Sequence, residues 1–449
     1  MTVTEILQFV DNLVFTKTDK HLDDLQRKII EELFNGKTYK QIANIYDYDE
    51  GYIGDESRNL FKLLSEILGQ DINKSNFCWT LERVKNCFRI VSFGNNNHIS
   101  CYSNYEKSNY QENNNTEKAK LAYHDLTLSP KITRFYGREQ ELNFLCNGVL
   151  NQNTHLISVL GLSGIGKTTL VKRFIDLNLQ QFEVIIWRSL KFPKSLDLLI
   201  DDLLNICQQE AKATIDDKLK QLFNILKNKK CLIILDDLEN IFVNCQFAGQ
   251  YKPEYQDYKT FLQMITEIEH QSCLILISQE KCQEMISLDN ELYPIHSLEL
   301  SGLDSAATEI LKNQGLKNEE AWLDLIKLYE SHPRYLQYIS ILIKDVFQGE
   351  VSELLKENSL ILTADFKSLF DSIWMRLSKI EKEILLKISQ QDKPISRDDI
   401  KKLLSLSSID IINGLQSLTR RFLLTKLEND EKLFNLSSVF RDYLIIYHQ

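Results

Sequence analysis

The chain has 449 residues, with a formal net charge of −10, 43% hydrophobic residues and 26% charged residues. At about 150 residues per domain this is roughly three domains, and the composition is that of folded rather than disordered protein. A surface this acidic excludes general coating of nucleic acid or of an anionic membrane.

Fifteen glycines and six prolines fall well below the usual combined share of roughly 12%. Few breakers imply long, mostly helical elements and leave little room for a long repeat array. The nine cysteines are odd in number and none is spaced C-x-x-C, so neither a disulfide framework nor a zinc ligand set is read. The N-terminus lacks a basic segment leading into a sustained apolar stretch. No apolar run approaches the roughly 18 residues of a membrane span. These absences predict a cytoplasmic protein with no membrane partner.

Residues 1–90 read as helical. Leu22, Leu25, Ile29, Ile30 and Leu33 recur at helical spacing before Asn35-Gly36 breaks the pattern. Lys37–Ala43 forms a short second helix, Tyr46–Asp49 a turn, and a third helix runs from about Gly51 to Leu68, a helix-turn-helix outline. Residues 91–130, with Asn95–Asn97 and Asn113–Asn115, carry no hydrophobic periodicity and read as a flexible Asn-rich linker.

Over 131–303 short apolar runs (His155–Leu160, Val184–Trp187, Cys231–Leu235, Cys273–Ile277, Ile295–Leu300) alternate with amphipathic stretches. That pattern predicts a parallel sheet covered by helices on both faces. Residues 304–363 read as a helical subdomain. Residues 364–449 read as helices, a hairpin (Phe422–Leu427 with Lys432–Leu436) and a final helix, a winged-helix outline. The fold class is thus multidomain, α and α/β.

Gly161-Leu162-Ser163-Gly164-Ile165-Gly166-Lys167-Thr168 fits G-x-x-x-x-G-K-[ST] without deviation, between the apolar run ending at Leu160 and a helical stretch from Thr169. Glycines let consecutive backbone N–H groups converge on one anion, and the following helix points its positive end at the same spot. Lys167 adds a charge for the β- and γ-phosphates, and the Thr168 hydroxyl is placed to ligate Mg²⁺. The buried run Cys231–Leu235 ends in Asp236-Asp237. Asp236 would hold the Mg²⁺; Asp237 could orient an attacking water, as the candidate catalytic group, or cap the next helix.

Gly161–Leu170 together with Leu232–Leu238 resembles the NB-ARC subgroup of STAND ATPases. Phe135-Tyr136-Gly137-Arg138-Glu139-Gln140-Glu141-Leu142 is similar to that group's opening motif, whose backbone lies beside the adenine, so Tyr136 and Gly137 join the candidate nucleotide-binding residues. Val184–Leu190, Ala248–Tyr251 and Gln271–Leu276 look like segments of cyanobacterial NB-ARC proteins that often carry WD repeats, and residues 1–80 resemble the helix-turn-helix domain at their N-termini. The resemblance implies an ADP/ATP switch, with Mg²⁺, in which exchange of ADP for ATP drives homo-oligomerisation and recruits an effector or adaptor through residues 1–90. It also implies that this chain stops before the repeat sensor of its relatives; Gln279, a departure from the family pattern, predicts at most a slow ATPase that still binds ADP tightly.

Three positions depart from the family pattern. Where an arginine senses the terminal phosphate stands Ile277-Ser278-Gln279; the neutral Gln279 implies weaker sensing, or another residue supplies it. Ser331-His332-Pro333-Arg334 replaces Gly-x-Pro, with Pro333 placed to pack on adenine or simply to start a helix. Phe440-Arg441-Asp442 replaces Met-His-Asp, with Arg441 either reaching the ADP β-phosphate or lying on a solvated helix face.

The alternative function is an ATP-dependent DNA-binding transcriptional regulator using the helix-turn-helix and winged-helix domains. Residues 1–80 hold nine Lys and Arg against fourteen Asp and Glu, a net of −5, and the candidate recognition helix is approached through Asp47, Asp49 and Glu50. Those carboxylates would face phosphates, which disfavours nucleic acid as a partner. The winged helix, at net +2, decides nothing either way.

Overall fold

The computed structural model describes residues 6, 7, 10, 11, 14, 15, 20–34, 37–68, 72–74 and 77 of the N-terminal part. Beyond them it describes 123–286, 294–357, 359–391, 393–428 and 432–448. The chain divides into two compact units, Met1–Lys118 and Ala119–Gln449. Most of the predicted linker lies outside the described residues.

In the first unit, α1 (Asp24–Phe34), α2 (Tyr39–Tyr46) and α3 (Glu50–Leu68) follow the predicted order. Thr38 caps α2 in a capping box: its backbone N–H donates to Gln41 Oε1 (2.8 Å) and its hydroxyl accepts from the Gln41 N–H (3.3 Å). Asp47 ends the helix in the left-handed region (φ 57°). Ile29, Ile30, Leu33, Ile42, Ile53, Leu60 and Leu64 form the core with Ile6, Val10, Ile72 and Phe77. Ile45, Tyr48 and Tyr52 stay exposed beside Asp47 and Asp49.

The second unit is built on a six-stranded sheet: β1 (Tyr123–Asp125), β2 (Leu156–Leu160), β3 (Val184–Ser189), β4 (Cys231–Asp236), β5 (Cys273–Ser278) and β6 (Ile295–Glu299), in the order β1-β3-β4-β5-β2-β6. All its pairings are parallel. β2, β4 and β5 are buried along their whole length, as strands covered on both faces must be. Leu156, Ile186, Ile233, Leu235 and Leu276 pack in one apolar cluster with α6 (Leu196–Ile206), α7 (Ile215–Asn228) and α8 (Asp257–Glu267). Alternate residues point to the opposite face, where Gly148, just beyond α4 (Glu139–Cys146), lies against Ile157.

One strand sits inside the predicted linker. Tyr123–Asp125 pairs with Val184–Ile186 as the sheet's edge, and Asp125 accepts from Arg188 at 2.8 Å. Three residues are too few to register as an apolar run; neighbouring strand and ion pair hold them in place.

Residues 303–444 share a single apolar core rather than two. It gathers the helical subdomain, α9 (Ala307–Gln314), α10 (Trp322–Leu328), α11 (Pro333–Phe347) and α12 (Val351–Leu355), with a winged helix. The latter has an extra leading helix, α13 (Ala364–Trp374), then α14 (Lys379–Ser389), β7 (Ile395–Ser396), α15 (Arg397–Leu403), α16 (Ser408–Arg420), the hairpin β8 (Leu424–Glu428) and β9 (Lys432–Leu436), and α17 (Ser438–His448). Tyr335 of α11 packs on Phe366 and Phe370 of α13, and Phe370 on Phe440 and Tyr443 of α17, with ring centroids 5.1–5.7 Å apart.

Candidate functional site

Parallel strands end together, so the strand order fixes what meets at the sheet's carboxyl edge. β5 lies between β4 and β2. Asp236 at the end of β4, Gln279 after β5 and the glycine loop after β2 therefore stand side by side, the place where such sheets bind ligands. α5 (Lys167–Asn178) starts directly from the loop.

A cavity of about 500 Å³ opens there, within the usual range of a cofactor pocket. Of the residues singled out in the sequence, Tyr136, Ser163, Gly164, Ile165, Gly166, Lys167, Thr168, Thr169, Asp236, Asp237, Gln279 and Pro333 line it. Gly161 and Gly137 stand behind the wall. A Cβ on Gly161 (φ 140°) would lie 2.9 Å from the Leu300 carbonyl oxygen, and one on Gly137 would lie 2.8 Å from Ala306 Cβ. Arg441 is not brought to the cavity. Val439, Phe440, Tyr443 and Leu444 turn α17 into the shared apolar core, and Arg441 Nε is left buried without a hydrogen-bond partner among the described residues.

Lys167 is buried, and its Nζ donates to the Gly161 and Leu162 carbonyl oxygens, each at 2.9 Å. Burial pushes its pKa down to about 8; Glu239, Asp236 and Asp237 oppose this and Arg334 adds to it. The Thr168 hydroxyl donates to Asp236 Oδ1 at 3.3 Å, as does the Asp237 backbone N–H at 2.9 Å. Burial, then the neighbouring Asp237 charge, pushes the Asp236 carboxyl up to about 7. Asp237 sits in the left-handed region (φ 61°), and its carboxylate accepts from the Ser189 hydroxyl at 2.8 Å.

Several participants were not singled out from the sequence. Glu239 accepts from the Gln279 side-chain amide (2.7 Å) and from its backbone N–H (3.2 Å). Its position three residues after Asp236 was the available signal. Arg138 ties the opening motif to the loop: it donates to Glu141 (2.7 Å), to the Ile165 carbonyl (3.3 Å) and to the Ser301 carbonyl (2.5 Å). Arg134, Lys191 and Arg334 add positive charge to the lining.

The residues present fit a nucleotide and its metal ion. Gly164 and Gly166 have positive φ (83° and 107°), and among the described residues their N–H groups have no acceptor, which leaves them open to an anion. Thr168 and Asp236 form the oxygen pair that a Mg²⁺ ion favours.

Two family descriptions match the chain: "vWA-MoxR associated protein N-terminal HTH" over residues 1–84 and "NB-ARC domain" over residues 138–244. The second match spans the loop, Lys167 and the Asp236 strand. The chain carries an NB-ARC domain. A WD repeat-containing protein of Nostoc sp. is 31% identical over 317 residues, 66% of this chain and 25% of that protein. The ToMV resistance protein Tm-2(2) of Solanum lycopersicum is 32% identical over 136 residues, 29% of this chain and 15% of that protein. The chain therefore spans a quarter or less of these relatives. Among solved structures, the STAND protein with a tetratricopeptide repeat sensor from Pyrococcus horikoshii is 19% identical, covering 70% of this chain and 43% of its own, with a TM-score of 0.35. The Walker-type ATPase of Pyrococcus abyssi is 14% identical, covering 69% and 96%, with a TM-score of 0.49. The NB-ARC domain is a P-loop nucleotide-binding domain, and the chain joins it to an N-terminal helix-turn-helix and a C-terminal winged helix. No helix among the described residues is long and apolar enough to cross a membrane.

The winged helix is fastened to the NB-ARC domain by charge. Glu280, next to Gln279 and 1% exposed, pairs with Arg376 (2.6 Å) and with Arg421. Arg421 also donates to Glu381 (3.0 Å) and to the Gln246 carbonyl (2.8 Å), and Arg376 to the Glu239 carbonyl (3.0 Å).

Proposed function

We propose that the chain is a nucleotide-controlled signalling switch of the cytoplasm, binding ADP or ATP with Mg²⁺ in the cavity at the sheet edge. Lys167 and the N–H groups of Gly164 and Gly166 would hold the phosphates, Thr168 and Asp236 the metal ion, and Tyr136 and Pro333 the base. Asp237, which accepts from the Ser189 hydroxyl, would orient a water, with hydrolysis slow at most. One observation carries this reading. The cavity wall joins the glycine loop of the core to Pro333 and Arg334 of α11 in the helical subdomain, so its occupant acts directly on how the two are held together.

Exchange of ADP for ATP would release the winged helix and permit homo-oligomerisation, with residues 1–90 recruiting an effector or adaptor protein. The acidic, aromatic surface of Ile45, Tyr48 and Tyr52 beside Asp47 and Asp49 suits a protein partner better than nucleic acid. The test is mass measurement of the purified chain with ADP and then with a slowly hydrolysed ATP analogue. A change of assembly state is expected with the second nucleotide. An unchanged state together with tight, salt-sensitive DNA binding would favour a DNA-binding regulator.

A further inference from the structure

The residue after β5 is expected to read the terminal phosphate, yet Gln279 is neutral and engaged, with both its side-chain amide and its backbone N–H donated to Glu239. A third phosphate added to a bound diphosphate needs a cation from elsewhere on the wall. Arg138 is not free to serve, since its guanidinium already reaches one carboxylate and two carbonyl oxygens.

We infer that Arg334, the second residue of α11, supplies the positive charge that distinguishes a nucleoside triphosphate from a diphosphate in this cavity. Its stem lies across the middle of the glycine loop: a Cβ built on Gly164 would stand 2.7 Å from Arg334 Cβ and Cδ and 2.9 Å from its Nε. Only a glycine permits this approach, so the loop's open N–H groups and the guanidinium face the same space. Among the described residues the Arg334 side chain has no ion pair or hydrogen bond, although its charge is felt at Lys167 and at the buried His332. Lys167 and Arg334 line one cavity, and an anion there meets both positive charges.

Arg134 and Lys191 also line the cavity; contact with the loop glycine sets Arg334 apart from them. Its position has a second consequence. His332 caps α11 through Nδ1, which accepts the Tyr335 N–H at 3.4 Å, and Tyr335, Leu336, Ile339 and Ile343 anchor α11 in the core shared with the winged helix. A phosphate that draws in Arg334 therefore pulls on the helical subdomain and winged helix together.

The inference rests on the nucleotide-binding reading, and the experiment separates the two. Affinities of the full chain for Mg²⁺-ADP and for a slowly hydrolysed Mg²⁺-ATP analogue are measured for wild type, Arg334→Ala, Arg334→Lys, Lys191→Ala and Lys167→Ala. Arg334→Ala should weaken the triphosphate analogue about tenfold more than ADP, Arg334→Lys should recover part of that difference, and Lys191→Ala should leave the ratio unchanged. Equal losses for both nucleotides, or none, in Arg334→Ala would overturn the role of Arg334. A ratio that follows Lys191 would move it to the loop after β3. Failure of the wild-type chain to bind either nucleotide would instead remove the nucleotide-binding reading, and with it the inference.

Discussion

Removing the Glu280 carboxylate tests how the winged helix is held. In Glu280→Ala, Arg376 and Arg421 lose their common buried partner. Breaking a buried ion pair from one side costs about 3–5 kcal/mol. Here each arginine keeps other acceptors, Arg376 the Glu239 carbonyl and Arg421 both Glu381 and the Gln246 carbonyl, so the lower end, about 3 kcal/mol, is expected. The chain is too composite for a single unfolding free energy. Amide hydrogen exchange across α16, which carries Ser417 and Arg420 into the same interface, is the suitable assay: Ser417 accepts from the Ala248 N–H at 2.6 Å and the Arg420 carbonyl from the Lys281 N–H at 3.0 Å. Opening made easier by about 3 kcal/mol speeds exchange roughly a hundredfold. A cycle with Arg421→Met should return a coupling of at least about 1 kcal/mol. Exchange within a fewfold of wild type, with no coupling, would refute the idea that this charge cluster fastens the winged helix.

Three further predictions follow from other sites. Lys167→Ala should abolish nucleotide affinity, measured by calorimetry, while leaving the fold intact; retained binding would take the glycine loop out of the site. His270 is buried, and desolvation followed by the stacked His155 holds its pKa down to about 4. Below about pH 6.5 the unfolded chain therefore binds a proton that the folded chain refuses, so this stability is complete above that pH and shrinks as pH falls toward 4. At pH 5 the deficit is about 2 kcal/mol, and His270→Gln should flatten the acid limb of thermal stability; an unchanged limb would show that other groups set it. A Cβ on Gly414 of α16 would lie 2.5 Å from Ile384 Cδ1 of α14. Gly414→Val should thus destabilise the winged helix by about 1–3 kcal/mol in denaturant melts, and a neutral result would mean that the two helices can part without cost.

The phosphate loop and the Asp236 strand were legible because their chemistry demands particular residues at fixed spacing beside a buried strand. Helical and alternating periods likewise gave α1 to α3, strands β2 to β6 and the hairpin, but neither the edge strand β1 nor the extra helix α13. Periodicity shows that a residue is buried but not against what, so the core joining Tyr335 to Phe370 and Phe440 could not be read in advance. Arg334 was hidden for the same reason: only tertiary packing sets it over Gly164, which is distant in the chain. The Glu280, Arg376 and Arg421 cluster is likewise non-local, and each residue alone looks like ordinary surface charge. Arg441 was placed by motif position, but the apolar residues around it decide where α17 turns.

The short edge strand has a practical consequence for dissecting the chain. Tyr123–Asp125 covers the backbone donors and acceptors of Val184–Ile186, three buried apolar residues. A core truncated to begin at residue 131 would expose that row, and bare sheet edges pair with one another. Self-association of such a fragment would be edge-to-edge aggregation, indifferent to which nucleotide is present. A fragment beginning at Ala119, where the second compact unit starts, keeps its own selvage, and any assembly it forms can be credited to the switch.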